Sequence, residues 1–180
     1  MASVEIVPEP HLLSEESARG YSTLVATVKR SAPLIILPAA QQLSFESAER
    51  FRELVCCGSW LILESGGAYL PCEKFRTQRR ILADVFGLNV GEAIAVSTIE
   101  PSYLTYDCPG RTMVRTFGAI TPIDCSPAER MAEYGGVSVA ARRRIGRGGV
   151  VYLGSILGSG VLAQEREAHF VATALLSAES

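Results

Sequence analysis

The sequence predicts an α/β fold in which a mostly parallel sheet lies between layers of helices. Three observations carry that reading. The runs Pro33-Leu-Ile-Ile-Leu-Pro38 and Trp60-Leu-Ile-Leu63 are short and wholly apolar, the pattern of strands buried on both faces. Between them, Phe45, Ala48, Phe51, Arg52, Leu54 and Val55 recur at helical spacing. Strand, helix and strand thus follow within about thirty residues, the length of one right-handed βαβ crossover. Beyond residue 89 the pattern turns to short β runs divided by turn residues, a β insertion in the C-terminal half.

Taken in order, Val4–Val7 reads as a short strand closed by Pro8 and Pro10. Ser14–Lys29 has helical spacing, interrupted by Gly20 and the β-branched Thr23, Val25, Thr27 and Val28. After the Pro33–Pro38 strand, Ser44 is placed to cap a helix with Glu46 and Glu49 in its first turns, and Gly58 stops it. The second strand runs from Trp60 straight into Glu64-Ser65-Gly66-Gly67. Glu73–Phe86 is a helix ending at Gly87, and Ala93–Ile99, Tyr103–Tyr106 and Thr112–Phe117 are strands. Val137–Ile145 and Gly149–Gly154 flank Gly146-Arg147-Gly148, a hairpin rather than a phosphate loop. Leu162–Leu176 closes the chain as a helix expected to turn Ala163, Phe170, Val171, Ala174 and Leu175 inward. This order fits a flavodoxin-like three-layer sandwich with a β insertion and hairpin.

At 180 residues, 48% hydrophobic and 20% charged, the chain has the composition of one globular domain spanning residues 1–180. A net charge of −2 supplies no field for nucleic acid or an anionic membrane, so neither partner is expected. Arg142-Arg143-Arg144 is the one basic run, and on a strand its members alternate faces and form no patch. No apolar run approaches the ~20 residues of a membrane helix. The opening MASVEIVPEP lacks a basic segment before an apolar stretch, so no secretory leader and a cytoplasmic location are expected. The five cysteines (Cys56, Cys57, Cys72, Cys108 and Cys125) are odd in number and include no CxxC pair. They read as reduced, mostly buried thiols, with Cys56–Cys57 in the core. With His11 and His169 the only imidazoles, no metal site is expected, and the absence of GxGxxG and GxxxxGK[ST] motifs leaves no cofactor expected.

The segment LIILPAAQQLSFESAERFRELVCCGSWLILESGG (34–67) resembles the core of class I glutamine amidotransferase-like domains. It is more similar still to the amidotransferase-like trimerisation domain of family 42 β-galactosidases. The later segment RRRIGRGGVVYLGSILGSG (142–160) resembles that domain's closing hairpin strand. The resemblance covers residues 33–176 and leaves 1–32 divergent. It implies that Ser65 stands at the nucleophile position, with Glu64 before it and Gly67 as the second glycine of the elbow. It also implies that Gly154 and Ser155 stand where the family carries its catalytic histidine. A serine hydroxyl without a neighbouring base is a poor nucleophile. The resemblance therefore implies a non-catalytic module that forms a homo-oligomer, dimer or trimer, or binds a protein partner.

Two other functions remain open on the residues themselves. Ala39, Ala40, Ser65, Gly66, Gly67, Gly154 and Ser155 would meet at the strand ends and line a crevice for a sugar or carboxylate. The Gly154–Gly160 stretch reads there as a flexible loop with Ile156 and Leu157 exposed. Alternatively, Ser65 is a hydrolytic nucleophile with Glu64 as the candidate acid or base, although strand alternation sends adjacent residues to opposite faces. His169 and His11 read as partly exposed bystanders, and Cys72, after Pro71, as an ordinary thiol at a helix start.

Overall fold

The computed structural model describes residues 3–7, 23–27, 32–40, 43–65, 70–96, 100–116, 118–126 and 128–178. Its strands are β1 Ser3–Val7, β2 Thr23–Thr27, β3 Leu34–Ala40, β4 Trp60–Ser65, β5 Asn89–Val90, β6 Ile94–Ala95 and β7 Ser102–Tyr106. They continue with β8 Thr112–Thr116, β9 Ala119–Ile120, β10 Ile123–Asp124, β11 Glu129–Tyr134, β12 Val137–Ile145 and β13 Gly148–Leu153. The helices are α1 Phe45–Cys56, α2 Cys72–Ile81 continued by a π turn Leu82–Phe86, α3 Leu157–Leu162 and α4 Arg166–Ala178.

Nine strands form one sheet in the order β1-β2-β3-β4-β13-β12-β11-β7-β8. The expected crossover is present: β3, α1 and β4 follow in sequence, with β3 and β4 parallel, and β13 adds parallel to β4 on its other side. Every other neighbouring pair in this sheet is antiparallel. The fold is thus mixed α/β, but the expectation of a mostly parallel, flavodoxin-like sheet is corrected. Strands joined by tight connections pair antiparallel, and such hairpins make up the β7–β13 half. The expected helix over Ser14–Lys29 is also corrected where it is described, because Thr23–Thr27 is a strand. The β-branched residues there fit a pleated surface better than a helix.

Local chemistry accounts for the elements around the parallel strands. Ser44 caps α1 by accepting the Ser47 N–H at 3.1 Å, and Gly58 leaves the helix at φ +121°. The Leu43 amide, just before that cap, donates to the buried Gln78 of α2 at 2.9 Å, tying the two helices at one end. The β12–β13 hairpin turns through Gly146 at φ +59°. A side chain at Gly148 would overlap the Ser59 carbonyl oxygen, so this loop is glycine-rich because it presses on the end of α1.

The core has two layers. Ile35, Leu37, Leu61, Leu63, Val150 and Tyr152 face α1, α2 and the π turn through Ala48, Phe51, Val55, Phe75 and Phe86. On the other face the sheet curls, so Ile62, Val151 and Leu153 pack with Leu104, Tyr106, Val114 and Val139 and with Leu157, Ala168, Val171 and Leu175 of α3 and α4. The closing helix turns Val171 and Leu175 inward as expected, but Phe170 is 55% exposed and Ala163 is exposed, while Ala168 is buried. Gln164 at φ +58° breaks the expected single helix into α3 and α4. All five cysteines are free. Cys57 is exposed and Cys56 half-buried, so their expected core placement is corrected: the buried stripe of α1 ends at Val55. Cys72 is exposed and Cys108 and Cys125 are half-buried, against the expectation of mostly buried thiols.

Candidate functional site

The C-terminal ends of β3, β4 and β13 lie side by side, because these three strands are parallel neighbours in the sheet. Ala40 of β3 lies in register with Ser65 of β4, after an irregularity between Leu37 and Ala40. Strand alternation divides the two candidate catalytic residues. Trp60, Ile62 and Glu64 face the α3 side, whereas Leu61, Leu63 and Ser65 face the α1 side. Gly66, Gly67 and His11 lie outside the described residues.

Ser65 is buried at 9% exposure and shares a hydrogen bond with the Tyr152 phenol of the neighbouring β13. Tyr152 Oη is also 2.6 Å from Thr121 Oγ1, and Thr121 Oγ1 donates to the Gly154 carbonyl at 3.2 Å. Burial raises the Tyr152 pKa, and the hydrogen bonds from Ser65 and Thr121, then the charge of Arg79, offset part of that rise. The phenol therefore holds its proton at neutral pH and is in no state to take one from Ser65.

On the opposite face, Glu64 is also buried, and its Oε1 accepts the Gly158 N–H of α3 at 2.7 Å. Tyr106 stands beside it. Burial drives the Tyr106 phenol far above its ordinary value, the nearby Ser155 hydroxyl pulls it partly back, and the Glu64 carboxylate pushes it further up. Even so, among the described residues Tyr106 Oη is buried without a well-formed hydrogen bond. Ser155 itself is buried.

The expected loop at residues 154–160 is corrected. Gly154 is held between strands, its N–H donating to Val139 O at 2.7 Å and its carbonyl accepting the Thr121 N–H at 2.8 Å. A side chain there would overlap both of those neighbours' carbonyl oxygens. The next residues form α3, and Leu157, expected to be exposed, is buried. His169 is exposed on α4, which packs on α3 and β8. Cys72 opens α2 as an exposed residue. Among the described residues no group of three or more His, Cys, Asp or Glu side chains converges as a metal site. No helix among them is long and apolar enough to cross a membrane. The three arginines of the basic run are dispersed: Arg142 pairs with Glu129 at 2.7 Å, Arg143 donates to the Gly87 carbonyl, and Arg144 lies over the Trp60 ring at 5.4 Å.

Sequence reasoning overlooked Tyr152, Thr121 and Tyr106. The available signal was a tyrosine inside an apolar strand, since a buried phenol needs a polar partner.

No family model matches the chain, and no curated protein matches it. Its fold is similar to parts of solved structures. A β-galactosidase from Bacillus circulans sp. alkalophilus aligns at TM-score 0.55 and 19% identity, over 78% of this chain and 23% of that one. A family 42 β-galactosidase from G. stearothermophilus aligns at 0.54 and 21%, over 73% of this chain and 20% of that one. A cytoplasmic protein from Salmonella typhimurium LT2 aligns at 0.58 and 13%, over 74% of this chain and 60% of that one. The chain thus spans about a quarter or less of the galactosidases it matches.

Proposed function

We propose that this chain is a non-catalytic module of the amidotransferase-like type that acts through self-association or by binding a protein partner in the cytoplasm. The observation that carries the reading is the state of Ser65. Its hydroxyl is buried and joined to a phenol that keeps its proton, an arrangement that anchors a strand end and does not activate a nucleophile. The likeness to one portion of much longer galactosidases supports an accessory role, since that portion is a minor part of each enzyme. Light scattering over a range of concentrations tests it, and reversible assembly is expected. A strict monomer that also retains no partner in pull-downs overturns it. Fluorophosphonate labelling tests the hydrolase alternative: no label on Ser65 is expected, and a label abolished by Ser65→Ala restores the enzyme.

A second reading, binding of a sugar or carboxylate above Ser65, is favoured by the register that brings the Ala40 backbone beside Ser65. Thermal-shift measurements with such ligands test it. A ligand at a hundred times its dissociation constant stabilises by about 2.7 kcal/mol, so absence of any shift removes this reading.

A further inference from the structure

The nine-stranded sheet ends at β8, which is hydrogen-bonded on one side by β7. Its sequence, Thr112-Met113-Val114-Arg115-Thr116, alternates between buried and exposed residues. Val114 and Thr116 are buried, whereas Met113 is 58% exposed and Arg115 is exposed. Thr116 Oγ1 is buried and, among the described residues, makes no hydrogen bond. Among the described residues, β8 thus has a partner strand on one side, an exposed methionine and a buried hydroxyl without a hydrogen bond, and is an incomplete edge.

We propose that β8 pairs antiparallel with β8 of a second copy of this chain, about a two-fold axis at Val114. The inference rests on the self-association reading and gives it a surface. The strand is self-complementary in that register. Thr112 faces Thr116 of the second copy on the buried side, and Met113 faces Arg115 of the second copy on the exposed side. Thr112 Oγ1 donates to Gly110 O at 3.0 Å and keeps lone pairs free to accept from the Thr116 hydroxyl across the axis. Charge selects this register over its neighbours. An axis at Met113 sets Arg115 against Arg111 of the second copy, and an axis at Arg115 sets that residue against itself. Like charges directly opposite are destabilising, whereas the Val114 axis puts an apolar side chain opposite each arginine. The pairing joins two nine-stranded sheets into one, an isologous contact of the kind most homodimers use.

The test uses the full chain and changes only the exposed Met113. Met113→Lys sets a lysine opposite Arg115 twice per dimer, and Met113→Glu sets a carboxylate there twice. Sedimentation equilibrium is expected to show a reversible wild-type dimer, weakened about tenfold by Met113→Lys and retained or tightened at low salt by Met113→Glu. Melting curves matching wild type establish that both variants fold. Equal weakening by the two variants overturns the register, because loss of an apolar contact alone does not depend on the sign of the charge. A wild-type dimer or trimer unaffected by either variant overturns the β8 contact and leaves self-association standing. A wild-type monomer at every concentration overturns both.

Discussion

The Gly158 amide donates a 2.7 Å hydrogen bond to Oε1 of Glu64, joining α3 to the end of the central parallel strand. The carboxylate that the sequence offered as a catalytic group thus holds a helix in place. Glu64→Ala is expected to destabilise the protein by about 1–3 kcal/mol, the range for leaving a buried hydrogen-bonding group unpaired. Glu64→Gln keeps an acceptor and is expected to lose less. Urea unfolding checks the order, and equal stability of wild type and Glu64→Ala would show that the bond is incidental.

Tyr152 is the hub of the polar cluster on the other face. Tyr152→Phe removes the hydroxyl that Ser65 and Thr121 share, and a loss of about 1–3 kcal/mol is expected. Because Ser65 acts through the same bond, Ser65→Ala and Tyr152→Phe are expected to be non-additive by about 0.5 kcal/mol or more. Strict additivity in a double-mutant cycle would separate the two residues.

Alkaline pH reads the same burial. The folded-state pKa values of Tyr106 and Tyr152 lie above the ordinary phenol value of 10.0. Below that value both states are protonated and the stabilisation is fully present. Above it the unfolded chain releases phenolic protons that the folded chain retains, so stability falls as pH rises. Each buried tyrosine contributes a slope of about 1.4 kcal/mol per pH unit in that range. Tyr152→Phe is expected to remove one of the two contributions, and an unchanged slope in denaturant titrations would contradict the assignment.

Gly148 and Gly110 provide a matched pair of substitutions. A side chain at Gly148 meets the Ser59 and Val55 carbonyl oxygens, whereas one at Gly110 meets nothing within 4 Å. Gly148→Ala is expected to destabilise by about 1–3 kcal/mol or more through overpacking. Gly110→Ala is expected to fall within about 0.5 kcal/mol of wild type. Calorimetric melting of the two variants decides it, and similar melting points would refute the contact between hairpin and helix.

The parts of the fold legible in the sequence were those with local punctuation. Pro33 precedes β3, although the strand runs on through Pro38 to Ala40; Ser44 and Gly58 bracket α1, Gly87 ends the π turn, and Gly146 marks the hairpin. Strand direction was legible for β3 and β4 through the helix between them but not for the rest of the sheet. A run such as Val150–Leu153 reads alike whichever neighbours it acquires. Phe170 of α4 was misread as a core residue because it is apolar yet points outward, and hydrophobicity alone cannot distinguish a core residue from an exposed one. At the candidate site, the position of Ser65 at a strand end was legible from Trp60–Leu63 and the glycines after it. Its partner was not, since Tyr152 lies far along the chain and counts as one more apolar residue in a buried strand.

The parallel placement of β4 between β3 and β13 has a consequence for how the protein is made. β3 emerges from the ribosome before β4, but β13 emerges after all the other strands. Until residues 148–153 exist, β4 has one bare edge, and both of its faces are apolar. Such an edge is a template for pairing with other chains, and parallel partners distant in sequence are slow to arrive. A nascent chain halted before Gly148 is therefore the form most in need of a chaperone, and the final hairpin strand is what releases it.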